Sequence, residues 1–167
     1  MSKIITEFYE GTSQVFATFY TLDDGTKHGE YKEFYENGKL FQRVNYVNGI
    51  VDGICEDYSI QGHLFTRSNF KNGKIHGQTQ KFYLDGKVNM STMFNEGTFH
   101  GLSTFYDCSG NKTHEFFHEN NNELWQKEYY PNGQIKKERV HKRFALDKLR
   151  AWKEDGTKIK FPRLMLF

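Results

Sequence analysis

Glycine keeps one interval along this chain: Gly29, Gly53, Gly77 and Gly101 form one column, Gly38, Gly62, Gly86 and Gly110 a second, and Gly25, Gly49, Gly73 and Gly97 a third, each with steps of 24 residues. Aromatic residues keep the same step at Phe34, Tyr58, Phe82 and Tyr106 and again at Tyr46, Phe70 and Phe94, with Leu40, Leu64 and Val88 as an aliphatic column. A fixed period of this size means one small unit stacked many times, each burying its apolar side against its neighbours. A fifth unit follows after the loss of one residue, with Tyr129-Tyr130-Pro131-Asn132-Gly133 repeating Phe34-Tyr35-Glu36-Asn37-Gly38, and a degenerate sixth remains in Trp152-Lys153-Glu154-Asp155-Gly156. At the front, Tyr20, Leu22, Asp24 and Gly25 fall in the columns of Val44, Tyr46, Asn48 and Gly49, so the array is expected to start near Phe8. The 167 residues therefore read as a single repeat domain: a partial unit over 1–25, repeats over 26–121, and degenerate repeats with a cap over 122–167.

Asn37-Gly38, Asp85-Gly86 and Asn132-Gly133 are hairpin-turn signals, because Asn, Asp and Gly accept the positive φ of tight turns. Each unit is then a β-hairpin, with strands over 30–36 and 39–47 and the linker Asn48-Gly49-Ile50-Val51-Asp52-Gly53 turning into the next. Period-two alternation places Leu40, Val44 and Tyr46 on one, core-like face and Phe41, Arg43 and Asn45 on the other. By the same reading Phe82 is core and Lys81 exposed. Composition agrees: only 37% of residues are hydrophobic yet 17% are aromatic, so rings supply much of the buried area, and a helical bundle is excluded. The expected fold is all-β, a single-layer antiparallel sheet forming an open β-solenoid of tandem hairpins.

The run Phe70-Lys71-Asn72-Gly73-Lys74-Ile75-His76-Gly77, followed by Phe82-Tyr83-Leu84-Asp85-Gly86-Lys87, resembles a MORN repeat. With its longer second strand, and Phe-Tyr-x-x-Gly in the first, the unit is similar to the variant MORN units of YwqK-like bacterial antitoxins. The resemblance implies one hairpin per repeat and action by binding other proteins. It implies, more narrowly, an antitoxin or immunity protein that neutralises a toxin enzyme. Asp52 replaces the His of the His-Gly pair, Asn121 sits in a Gly column, and the fifth unit lacks its opening Gly.

One catalytic string occurs, His114-Glu115-Phe116-Phe117-His118, which spells the H-E-x-x-H of zinc metalloproteases. That motif needs a helix, where both imidazoles share a face one turn apart. Here the repeat register makes the segment a strand, with the two histidines roughly 13 Å apart at their Cα atoms. Each hairpin advances the array by about 10 Å, so no two of His28, His76 and His100 can meet at one ion, and they read as turn residues. Cys55 and Cys108 fall on the order of 20 Å apart, beyond the ~7 Å limit for a disulfide, so both are expected as thiols. No phosphate-binding or nucleophile-elbow string is present. The expectation is a non-enzyme with no catalytic residues, no metal and no cofactor.

Candidate binding residues lie where columns stop repeating. Phe41, Arg43, Phe65 and Arg67 are assigned to one aromatic and Arg patch, with Met93 and Phe117 further along, and such residues dominate interface energetics. Charge is uneven: twelve Lys and Arg against seventeen Asp and Glu over 1–130 (−5), and eleven against four over 131–167 (+7). Lys136, Lys137 and Arg139, with Lys142, Arg143, Lys148 and Arg150, make a basic end suited to steering a partner. A protein partner, a toxin enzyme by the resemblance, ranks first. A scaffold joined end to end through terminal edge strands as a homodimer, or anionic lipid or nucleic acid at the basic end, rank behind it. The N-terminal residues have no signal-peptide character and no stretch reaches transmembrane length, so the expected location is the cytoplasm. The apolar run Phe161-Pro162-Arg163-Leu164-Met165-Leu166-Phe167 is read as a cap on the last hairpin.

Overall fold

The computed structural model describes residues 3–141 and 147–160. The expected cap at 161–167 and the basic residues Lys142 and Arg143 lie outside the described residues. The strands run β1 (Lys3–Phe8), β2 (Val15–Thr21), β3 (Lys27–Phe34), β4 (Leu40–Val47), β5 (Ile50–Tyr58), β6 (Leu64–Lys71), β7 (Lys74–Phe82), β8 (Val88–Asn95), β9 (Thr98–Tyr106), β10 (Lys112–Glu119), β11 (Asn122–Tyr129), β12 (Ile135–Val140), β13 (Lys148–Trp152) and β14 (Lys158–Ile159). They form one antiparallel sheet in chain order, with no helix among the described residues. The fold is the expected open, single-layer sheet of tandem hairpins.

Two turn chemistries alternate along the sheet's two long edges. On one edge the pair Val47↔Ile50 closes over Asn48-Gly49, whose φ values are 50° and 78°. Positive φ at both central residues is the mirror-image turn that matches strand twist. Asn72-Gly73, Glu96-Gly97 and Asn120-Asn121 follow suit, and Asn121 at φ 66° shows why Asn can stand in that Gly column. On the other edge the turn is longer: Tyr35 N–H donates to the Lys39 carbonyl and Gly38 N–H to the Tyr35 carbonyl, both at 2.8 Å, and within that loop only Gly38 has positive φ.

Neighbouring units are bonded through these turns. Gly49, Gly73 and Gly97 donate their N–H groups to Lys27, Val51 and Ile75 of the preceding unit at 2.8 Å. His28 Nδ1 accepts from Asn48 N–H at 3.3 Å, and Asp52 accepts from Asn72 N–H at 2.9 Å, so Asp52 performs the task of the histidine it replaces. On the other edge the Tyr35 and Tyr83 hydroxyls donate to the Tyr58 and Tyr106 carbonyls at 2.8 and 2.7 Å.

Several boundaries differ from expectation. The linker over 48–53 contracts to Asn48-Gly49, because Ile50 to Gly53 already pair within β5. The sheet begins at Lys3 rather than near Phe8, since β1 and β2 form a hairpin of their own. In that first unit Phe19, not Tyr20, pairs with Tyr31 as Val44 pairs with Cys55. The longer loop over 22–26, closed by Leu22 N–H to the Thr26 carbonyl, displaces the column by one residue.

Gly77 sits within β7, where Ser68↔Thr79 and Phe70↔Ile75 leave two extra residues on β7, and its φ is 82°. A Cβ there would meet only Asn69 Cβ at 3.9 Å, so space exists and the backbone alone sets the cost. Gly77→Val is expected to lower the unfolding free energy by about 2 kcal/mol. Urea denaturation checks this, and a midpoint equal to the parent's would show that the strand needs no positive φ at that position.

Residues paired across strands share a face, so the register defines two surfaces. On the core face, Ala17, Phe19, Tyr31 and Val44 are buried, with Ile5, Phe16, Tyr46, Val51 and Cys55 packed against them. The Lys27 ammonium lies over three of these rings, 4.8 Å from Phe19, 4.3 Å from Tyr31 and 5.6 Å from Tyr46. The row through Tyr31, Val44 and Cys55 continues as Ser68, Thr79, Thr92 and Ser103 before reaching Phe116. The other, charged face carries the row Lys32, Arg43, Glu56 and Arg67, then Gln80, Ser91 and Thr104, then Glu115, Lys127, Glu138 and Arg150.

Bulges beside the longer turns correct the face assignment made from alternation. Phe34↔Leu40 and Glu33↔Gln42 leave Phe41 as an extra residue, and Tyr58↔Leu64 and Asp57↔Thr66 do the same to Phe65. One extra residue breaks the period of two. Leu40 therefore leaves the face of Val44, and the Phe34, Tyr58, Phe82 and Tyr106 column lies on the charged face, where the Tyr58 hydroxyl reaches Glu56. Phe82 is half-buried there, while Lys81 is exposed on the core face between Thr66 and Met90.

Candidate functional site

Glu56 is the hub of the charged face. Its pairing with both Arg43 and Arg67, on the strands to either side, aims two guanidinium groups at one carboxylate. Arg43 Nε donates to Oε2 at 3.0 Å with its Nη2 on the same oxygen, Arg67 Nε donates to Oε1 at 2.8 Å, and the Tyr58 hydroxyl donates to Oε2 at 2.8 Å. Glu56 is 2% exposed, whereas the arginine side chains remain 45% and 46% exposed. Burial of the carboxylate opposes its charge, but the donors from Arg43, Tyr58 and Arg67 outweigh it and hold the group below the ordinary carboxylate range. The arginines are thus fixed on Glu56 while their side chains stay about half exposed, with Arg43 Nη1 also 4.0 Å from Glu30.

The ionic pattern recurs at the far end of that face. Glu115 accepts from Lys112 at 2.9 Å and from the Tyr129 hydroxyl, and Glu138 accepts from Arg150 at 2.9 Å. Burial pushes the Glu115 carboxyl up, but the donors from Tyr129 and Lys112 outweigh it and hold this group below its usual range as well.

Of the residues chosen from the sequence, the fold brings together Arg43 with Arg67 and Lys136 with Lys137. The lysines meet on Glu128, at 2.5 and 3.7 Å. Phe41 lies edge-on to Tyr35 with centroids 5.1 Å apart, and Phe65 is 53% exposed. Neither keeps the alternation that set it beside Arg43 or Arg67, for the bulge reason above. Arg139 is exposed and pairs with Gln126 and Leu149, which places it on the core face. Six strand spacings, roughly 29 Å, separate Arg67 on β6 from Lys136 on β12, so the two groups form separate patches. Glu56 itself was missed by sequence reasoning. Its signal was an acid in the column of Lys32, Gln80 and Thr104, framed by arginines eleven and thirteen residues away.

The H-E-x-x-H string lies on β10, as the repeat register requires. His114 and His118 flank the Phe116 ring on the core face, at centroid distances of 6.2 and 6.4 Å. Glu115 belongs to the charged face, so the three groups of the protease motif do not converge. Cys55 and Cys108 are both free. Burial, then the charges of Asp57 and Glu56, push the Cys55 thiol up to about 11, while Cys108 is exposed in a turn. Maleimide at neutral pH is expected to label Cys108 and to modify Cys55 roughly 100-fold more slowly than an ordinary thiol, until denaturant is added. Intact mass against time checks this, and two equivalents at one rate would contradict the burial of Cys55.

Residues 27–48 and 126–142 match the MORN repeat variant. The first segment is the β3–β4 hairpin with its following turn, and the second runs from β11 through β12. These MORN-variant units stand at both ends of the regular columns. No curated protein matches the chain. Among solved structures, TarM is similar over 71% of this chain and 20% of its own, at 16% identity and a TM-score of 0.34. A variant of S. aureus TarM in complex with fondaparinux, alpha-GlcNAc-glycerol and UDP is similar over 71% of this chain and 21% of its own, at 15% identity and a TM-score of 0.34. A porin-like protein from Bacteroides uniformis is similar over 89% of this chain and 53% of its own, at 13% identity and a TM-score of 0.28. The chain thus spans about a fifth of the TarM length and about half of the porin-like protein.

Proposed function

We infer that this chain is a non-catalytic, protein-binding repeat module of the cytoplasm that neutralises a toxin enzyme by covering it. The observation that carries the reading is the pair of arginines held on buried Glu56 with half of each side chain free. Guanidinium groups ordered before binding lose little freedom on meeting a carboxylate, which is how hot-spot arginines act. The MORN-variant units supply repetition, and repetition supplies an extended surface.

Affinity capture from the source cells, followed by assay of the captured protein, tests the reading. One enzyme recovered at one-to-one stoichiometry, and inactive until released, is the expected result. Phe65→Ala and Arg67→Ala are expected to raise its dissociation rate about tenfold. Charge reversal at Lys136, Lys137 and Arg139 is expected to slow association and flatten its salt dependence. An enzyme that stays fully active in the complex, or five substitutions that leave both rates untouched, would overturn it.

A second reading rests on β1, the outer strand of the sheet, where Ile4 and Phe8 are 62% and 54% exposed. An edge that no described strand covers, with apolar side chains along it, can add a second copy. Light scattering across a concentration series distinguishes an end-to-end scaffold from a monomeric binder.

A further inference from the structure

The core face is hollow in its middle. Where the first unit places Tyr31 and Val44, the second to fourth place Ser68, Thr79, Thr92 and Ser103 in the corresponding rows, and among the described residues no second layer lies above them. The result is a groove of about 510 Å³ across β7 to β11. Its floor is Thr79, Thr92 and Ser103. Its walls are rings in mutual contact: Phe94 and Phe99 at 4.7 Å, Phe99 and His118 at 5.5 Å, Phe105 and Phe116 at 5.5 Å. Small hydroxyl side chains under aromatic walls are the composition of a ligand pocket rather than of a packed core.

Two polar atoms in the groove, Thr79 Oγ1 and His118 Nδ1, are buried without a hydrogen-bond partner among the described residues. Thr79 is 6% exposed, so its hydroxyl has been taken from water with nothing given in return. Lys81 stands on the rim, two residues along the same face, and makes no ion pair among the described residues. At the opposite end Glu123 is engaged by His141 Nε2 at 3.0 Å. The groove is therefore positive at the β7 end, with a carboxylate already present at the β11 end.

We propose that this groove binds a small planar aromatic carboxylate, its anionic group against Lys81 and the Thr79 hydroxyl and its rings between Phe94, Phe105 and Phe116. The charge order of the two ends fixes that orientation, since the reverse would set anion against Glu123. Three strand spacings, roughly 14 Å, separate the backbones of β7 and β10. A two-ring skeleton spans that distance once the Thr79 and His118 side chains reach inward, so a polar substituent at the far edge of the ligand meets His118 Nδ1. The site stands on the other face from Arg43 and Arg67, and it does not depend on the protein-binding reading.

The probes are 2-naphthoate, 6-hydroxy-2-naphthoate and neutral 2-naphthol, titrated calorimetrically into the full chain. Saturable one-to-one binding is expected, with the hydroxynaphthoate tightest and 2-naphthol roughly tenfold weaker than 2-naphthoate. Lys81→Met is expected to remove the preference for the carboxylate and His118→Phe to remove the advantage of the hydroxyl. Ser103→Leu fills the floor and is expected to abolish binding. Lys81 is exposed, so its variant decides the matter even if Ser103→Leu fails to fold. Absence of saturable binding to the folded chain, equal affinity for 2-naphthoate and 2-naphthol, or undiminished affinity in a folded Ser103→Leu would overturn the proposal.

Discussion

Glu56→Ala is expected to lower the unfolding free energy by about 3 kcal/mol, a large change for a residue that touches no apolar core. Removing one member of a buried ionic group leaves the others without their counter-charge, at a cost of about 3–5 kcal/mol when all are buried. Half-exposed Arg43 and Arg67 recover part of that loss by hydration, which places this variant at the lower end. The Tyr58 hydroxyl also loses its acceptor. Glu56→Gln keeps an acceptor oxygen and is expected to cost less. A pH series adds an independent sign. The native carboxylate lies below its ordinary range, so its contribution is complete above the unfolded value of about 4.3 and is lost as pH falls through the native one. Glu115 and Glu128 are lowered too and share that sign. The parent is expected to lose melting temperature below about pH 4.3 more steeply than Glu56→Gln. Parallel pH profiles for the two would remove Glu56 from the account of stability.

Tyr31→Ala is expected to cost about 3–4 kcal/mol, and to do so locally. The ring is 8% exposed, lies 5.7 Å from Phe19 and 6.0 Å from Tyr46, and carries the Lys27 ammonium. Its hydroxyl donates to Glu33 at 2.9 Å. Because each strand is hydrogen-bonded only to the strands beside it and each turn adds bonds only to the unit before it, loss of this cluster weakens β1 to β5 and leaves the ladder of β7 to β13 in place. Hydrogen exchange is expected to show faster opening over the first five strands and unchanged protection beyond β7. Uniform acceleration along the chain would mean that the array unfolds as one cooperative body.

What the sequence disclosed and what it concealed divide along a physical line. The 24-residue columns disclosed the hairpins, their order and the single layer, because every unit must satisfy the same contacts with its neighbours. Strand conformation at His114 to His118 followed from register alone. The bulges at Phe41 and Phe65 were hidden, since an extra residue alters no local pattern yet reverses the face of everything beyond it. Lengthening of the turn at 22–26 was hidden for a similar reason: Gly25 kept its column while the loop around it changed type. Glu56 looked like one acid among many until pairing set an arginine on either side. The hollow at Thr79, Thr92 and Ser103 was visible as a loss of volume in two columns, but only the register shows that those columns share a face.

The bonds from each turn to the unit before it have a further consequence. The turns donating from Gly49 to Lys27, from Gly73 to Val51 and from Gly97 to Ile75 present the same docking geometry at three successive junctions, so the units they join can follow one another in any order. Inserting or excising one whole unit preserves which side chains face which way, because each unit brings its own turns and bulges; even the 23-residue step from Glu115 to Glu138 leaves both on the charged face. Recombination between units therefore changes the length of this protein without redesigning its interior. The ionic hub spans β4 to β6 and the hollow β7 to β11, so moving either feature whole to another place in the array takes an exchange of adjacent units together. The chain is a strip of interchangeable tiles, with novelty confined to what is painted on each.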